Sequence, residues 1–137
     1  MVRIVLGVIA GFFAWFVIWV GIEKILSAAW PAFGAFQAAF QEAIERGPRA
    51  TDFFPDTTFL IVHVLVACIV SAAAGFLAAS VAGEKARAPL ALGFMLLAMG
   101  LAKAYMSWPL VPLWYHVIFA AILLPMAILG GRFYSSN

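Results

Sequence analysis

Charge is what this chain lacks most. Only 10% of its 137 residues are Asp, Glu, Lys or Arg, against 66% hydrophobic. A soluble domain of this size needs a wet, charged exterior, so the balance excludes one and makes lipid the expected solvent for most side chains. Acids are scarcest in the second half, where none lies between Asp56 and Glu84 and none follows Glu84. Cation-coupled carriers rely on a membrane-embedded acid, and that scarcity argues against them. A single cysteine, Cys68, permits no internal disulfide framework and no Cys-x-x-Cys motif, and its apolar setting suits packing. The net charge of +2 comes from eight Lys and Arg spread along the chain, which form no basic patch for nucleic acid. Catalytic, cofactor and transport motifs are absent.

What the chain does have is four long apolar runs. A hydrocarbon core of about 30 Å takes about 20 helical residues to cross. Spans are expected over residues 4–22 (extending toward 30), 59–82, 89–108 and 111–131. They use most of the chain, and the expected fold is an all-α integral membrane protein: one domain over 1–137, built as a four-transmembrane-helix bundle. The run from Ile4 to Ile22 exceeds a usual signal-peptide core, and Glu23 and Lys24 separate it from the small residues Ser27, Ala28 and Ala29, so it reads as a retained span. Pro89 suits a first helical turn, whereas Pro125 lies inside the fourth span and is expected to kink it, freeing the Ala121 carbonyl. Trp15, Trp19 and Trp30 are expected to include anchors at the membrane boundary.

The one sizeable loop has its own order. Phe33, Phe36, Phe40 and Ile44 recur at three- and four-residue intervals while Gln37, Gln41, Glu45 and Arg46 take the other side. An amphipathic helix over 32–46 follows, ended by Gly47 and Pro48. It either lies along the membrane surface or caps the mouth of the bundle. Arg3, Lys85, Arg87 and Arg132 fall on one side of four spans, and Lys24, Arg46 and Arg49 on the other. By the positive-inside rule both termini are expected in the cytoplasm, in a bacterial-type inner membrane.

Three ionisable residues interrupt the runs. Counted at about 1.5 Å per residue, His63, Lys103 and His116 lie near one level toward the outer leaflet. His63 heads a ladder of small residues, Ala67, Ser71, Gly75, Ala79 and Gly83; Lys103 shares a side with Gly93, Gly100 and Ser107, and His116 with Ala120, Ala127 and Gly130. All three are therefore expected to face protein. Glu23 falls roughly opposite the Gly7, Gly11 and Gly21 side and reads as interfacial. A lysine in hydrocarbon costs about 2.5 to 3.5 kcal/mol, so Lys103 needs a partner, a wet cavity or a route outward.

The plainest role for these residues is helix-to-helix hydrogen bonding. The functional reading is a pocket for a lipid-like or anionic ligand, with Lys103 as its charge, His63 and His116 as hydrogen-bonding groups, and Trp108, Trp114 and Tyr115 as its wall. A partner membrane protein is the other non-enzymatic reading. Two further classes compete. His63 and His116 could be axial ligands of a b-type haem in an electron-transfer subunit. A small homo-oligomeric transporter or anion channel could pass anions by Lys103. The small-residue faces serve internal packing first and a homo-oligomer seam second. No catalytic residue and no metal site is expected, since Ser71 and Ser107 have no orienting acid in the spans.

Overall fold

The computed structural model describes residues 1–47, 55–108 and 110–134, which leaves Pro48 and Arg49 outside the described residues. The described chain is all-helical: α1 Val2–Ala29, α2 Pro31–Arg46, α3 Thr57–Ala82, α4 Arg87–Met106 and α5 Leu113–Arg132. Of these, α1, α3, α4 and α5 are long and apolar enough to cross a membrane.

Local chemistry accounts for the helix limits. Trp30 is extended (φ −132°, ψ 91°) and Pro31 takes the first position of α2, so the chain turns sharply between α1 and α2. Gly47 ends α2 with φ 63°. The Asp56 side chain accepts a hydrogen bond from the Thr58 N–H at 2.8 Å, which starts α3 two residues before the apolar run suggests. Gly83 closes α3 in the left-handed conformation, φ 73°. The Glu84 carboxylate then accepts from the N–H groups of Ala86, Arg87 and Ala88 at 3.1, 2.9 and 2.6 Å, and α4 begins at Arg87, ahead of Pro89. Partial burial acts to raise the Glu84 pKa, but these three donors and the Arg87 charge outweigh it and hold the carboxyl below its ordinary range. Helix α5 continues through Pro125.

The bundle is centred on α3, which packs along α1 and α5, while α4 packs mainly on α5 and makes lesser contacts with α1 and α3. Small residues set these distances. Gly7 meets Ala78 and Ala82, and Gly11 meets Ala74, so α1 and α3 run antiparallel; one turn further on, Trp15 Nε1 donates to Ser71 Oγ at 3.1 Å. Between α3 and α5 the backbones touch, because a Cβ on Gly75 would overlap the Ala127 carbonyl and one on Gly130 the Ala72 carbonyl. The expected ladder on α3 is thus largely consumed inside the chain, with Ala67, Ser71 and Ala79 fully buried beside Ala74 and Ala78. Outward positions are large and apolar: Val5, Ile9, Phe13, Val17, Leu65, Ile69, Phe94, Leu101 and Val117 are 45–70% exposed.

Arg3 lies against Gly83 and Gly131 lies against Pro89 and the Lys85 carbonyl, which gathers both ends of the described chain and the α3–α4 connection at one end of the bundle. At the opposite end sits α2. Its Phe33, Phe36 and Phe40 are buried, Phe33 and Phe36 packing on Phe59 with ring centroids 5.8 and 5.0 Å apart. Two residues read as boundary anchors prove to be core: Trp15 and Trp19 are buried and stacked on each other at 5.1 Å, whereas Trp30 is 39% exposed. A tryptophan can wedge between helices as readily as it can sit at a headgroup boundary, and spacing alone does not separate the two.

The α3–α5 contact tolerates no added carbon. Gly75→Ala and Gly130→Ala are each expected to cost about 1 to 3 kcal/mol, read as a lower midpoint in detergent-induced unfolding from bicelles. Gly21→Ala, where a Cβ meets nothing within 4 Å, should leave the midpoint unchanged or slightly raised. Equal effects at all three positions would contradict the close packing.

Candidate functional site

Beneath α2 the helices part around a cavity of about 180 Å³ lined by Trp19, Glu23, Gln37, Phe40, Gln41, Ile44, His63 and Lys103. Four of the five elements contribute. His63, on the first turns of α3 and 3% exposed, is its most constrained member. Its Nδ1 lies 2.7 Å from the Phe59 carbonyl oxygen one turn earlier, and only an N–H can bond there, so Nδ1 carries a proton. Its Nε2 lies 2.9 Å from Gln37 Oε1 on α2 and 3.7 Å from Glu23 Oε1 on α1. A neutral ring accepts at Nε2 from the Gln37 amide turned over; an imidazolium donates to the Gln37 oxygen and pairs with Glu23. The Phe33 ring stacks on the imidazole at 5.4 Å. His63 therefore ties α1 and α2 to α3, through Glu23, Gln37 and the Phe59 carbonyl.

Lys103 reaches the same cavity from α4. Its ammonium lies 5.3 Å from the Trp19 ring centroid and 4.9 Å from that of Phe119, so two aromatic faces stand where a counter-ion would be expected. Among the described residues it has no hydrogen-bond or ion-pair partner. Glu23, its nearest carboxylate charge, lines the cavity with it but does not pair with it directly. The Glu23 side chain is 26% exposed.

A second hollow begins on the far side of Trp19. It measures about 340 Å³ and is lined by Trp15, Phe16, Trp19, Val20, Met99, Gly100, Lys103 and Phe119. All but Lys103 are apolar or glycine, and the exposed flanks of Phe16 and Val20 open it to the side of the bundle. Trp19 and Lys103 belong to both walls. A polar chamber and an apolar groove thus meet at one cation.

The structure brings His63 and Lys103 together as the sequence suggests and leaves His116 apart. His116 shares with Lys103 and Tyr115 a crevice of about 10 Å³, room for a single water at most. Its Nε2 faces the Trp108 carbonyl oxygen at 3.4 Å and its ring stacks on Trp108 at 5.0 Å, so it fastens the α4–α5 connection to α5. The expected wall of Trp108, Trp114 and Tyr115 does not border the polar cavity. Trp108 and Trp114 are 57% and 38% exposed at the rim, while buried Tyr115 packs on Phe119 at 5.6 Å. They stay with His116 on α5 and the connection before it, whereas the polar cavity is lined by α1, α2, α3 and α4.

Three residues of the cavity lie elsewhere than their sequence pattern suggests. Glu23, which the pattern makes interfacial, continues the buried series Gly7, Gly11, Trp15, Trp19 at strict four-residue spacing. A straight-helix count drifts about 40° per such step and turns Glu23 away. In the fold α1 changes partners along its length, from α3 and α4 at Gly7 and Gly11 to α2 and the His63 turn at Glu23, so the buried stripe winds with the partners. Gln37 and Gln41, which the pattern puts on the wet side of α2, sit at the edge of its Phe face and border the cavity. No protein-family model, curated protein or solved structure matches the chain.

Removing the imidazole should free α2. In His63→Ala, hydrogen exchange of the α2 amides from Phe36 to Ile44 is expected to quicken by about 5- to 30-fold, the effect of one to two kcal/mol, while the Gly7–Trp15 segment stays protected. Unchanged exchange in α2 would show that aromatic packing alone holds it.

Proposed function

We propose that this chain is an integral protein of a bacterial-type inner membrane that binds a lipid-like amphiphile, head in the polar cavity and hydrocarbon in the groove beside Trp19. The meeting of the two hollows at Lys103 carries this reading. A headgroup requires polar partners and a chain requires apolar ones, and only an amphiphile satisfies both across one shared wall. The exposed apolar flanks of α1, α3, α4 and α5 support lipid as the surrounding solvent. With Arg3, Lys85, Arg87 and Arg132 taken as the cytoplasmic end, α2 becomes an amphipathic cap over the outer mouth and the cavity belongs to the outer leaflet. The role proposed is binding, not catalysis: Ser71 Oγ is engaged by Trp15, and Ser107 Oγ donates to the Lys103 carbonyl at 2.9 Å.

The rival readings draw less support. A bis-imidazole haem needs two ring nitrogens facing one slot, whereas His63 is committed to Phe59 and Gln37 and His116 borders a separate crevice. An anion path past Lys103 would have to continue where Gly11 meets Ala74 and Leu92, with no room for an added carbon.

Three outcomes are expected. The protein should stay in the pellet when membranes are washed with alkaline carbonate. In a Cys68→Ala background, a cysteine at Lys85 should be shielded from impermeant thiol reagents added to intact cells and one at Glu42 labelled. Release into the wash would end the membrane assignment, and labelling of Lys85→Cys alone would reverse the orientation. For the ligand, Lys103→Ala should lower the lipid retained through purification in mild detergent by about tenfold, measured by native mass spectrometry. Unchanged retention with lowered stability would leave Lys103 a packing residue.

A further inference from the structure

We propose that the head taken by the polar cavity is zwitterionic and carries a primary ammonium, with its cationic end at Glu23 and its anionic end at Lys103. This rests on the amphiphile reading above and specifies its ligand. The sequence suggests a lipid-like or anionic ligand because the spans show three cationic or switchable groups and no acid at their level. The fold changes that balance by turning Glu23 into the chamber, 3.7 Å from His63 and on a wall shared with Lys103.

Charge complementarity then decides among headgroups. A purely anionic head would satisfy Lys103 but set like charge beside the Glu23 carboxylate on the same chamber wall. A purely cationic head would meet the same objection at Lys103. A neutral polyol would leave the Lys103 ammonium with only aromatic faces beside it. A zwitterion answers both, and because Glu23 and Lys103 do not pair directly, a dipolar head can lie between them. The direction follows from the groove: it opens at Lys103, so the anionic group nearest the hydrocarbon chain comes to rest there and the ammonium extends to Glu23 under α2.

The amine is primary by the hydrogen-bonding inventory. Glu23 offers two carboxylate oxygens and Gln41 an amide oxygen, acceptors that suit a group with three N–H donors. A quaternary ammonium has no donor and is ordinarily held on aromatic faces. The Trp19 face is already occupied by the Lys103 ammonium. At about 180 Å³ the chamber is also smaller than the roughly 300 to 1,000 Å³ of pockets that enclose drug-sized ligands, which favours a compact head.

The test presents delipidated full-length protein in mild detergent with an equimolar mixture of phosphatidylethanolamine, phosphatidylcholine and phosphatidylglycerol carrying identical acyl chains, and reads retained lipid by native mass spectrometry. The expected result is retention of phosphatidylethanolamine over each of the others by about tenfold. Glu23→Gln should bring phosphatidylethanolamine and phosphatidylglycerol within about twofold of each other, and Lys103→Met should weaken all three. Phosphatidylglycerol or phosphatidylcholine held as well as phosphatidylethanolamine by the unmodified protein would overturn the headgroup assignment and leave the amphiphile reading standing. Retention of none of the three would overturn both. Since selectivity is read first on the unmodified chain, a poorly folding variant does not blunt the test.

Discussion

The architecture depends on where small and large side chains meet. Toward the end that holds the α3–α4 connection, glycine and alanine let α3 touch α1 and α5 at backbone distance: Gly7 on Ala78 and Ala82, Gly75 on Ala127, Gly130 on Ala72. Toward the α2 end the facing positions become Trp15, Trp19, Phe119 and His63, and rings of that size hold the helices apart. Helices in lipid associate through close packing and interhelical hydrogen bonds, not by the expulsion of water, so the tight end supplies cohesion and the wide end is left to be filled. It is filled by polar side chains and by α2, whose Phe33 and Phe36 complete the aromatic packing around His63. The cavity is the residue of that taper.

Lys103 gains its character from the same taper. On an isolated helix a lysine at this position would snorkel to the surface. Here its ammonium lies over the Trp19 and Phe119 rings, where the polar chamber and the apolar groove share a wall. The cation thus rests on aromatic faces, while Glu23 on the same chamber wall lies 3.7 Å from His63. His63 plays a different part. Its two ring nitrogens answer to Phe59 on one side and to Gln37 and Glu23 on the other, so it couples the position of the α2 cap to the chamber beneath it.

Much of the fold could be read from the chain because hydrophobic length is a strong signal: 18 or more apolar residues in a row leave few alternatives to a spanning helix. The four long helices lie within a few residues of the apolar runs, and the Phe33, Phe36 and Phe40 spacing falls on the buried face of α2. Helix starts were less legible, since Asp56 and Glu84 lengthen α3 and α4 with side-chain caps that hydropathy does not register. The site was half legible. His63 and Lys103 stand out as ionisable residues in apolar surroundings, and each lies on a small-residue face. Glu23, Gln37 and Gln41 sit at helix edges, where straight-helix phase is least informative and a change of partner decides which way a side chain turns. His116 shows the converse: its depth and face are those of a site residue, but the Trp108 stack and a crevice the size of one water make it a fastener. Depth is additive along a helix; proximity between helices is not.

The most direct measurement is a density map of the protein purified in nanodiscs with its native lipid. Continuous density is expected from between Glu23 and Lys103, past Trp19, into the groove bordered by Phe16, Val20 and Met99. A chamber closed by a direct Glu23–Lys103 ion pair, with the groove filled only by side chains, would contradict it.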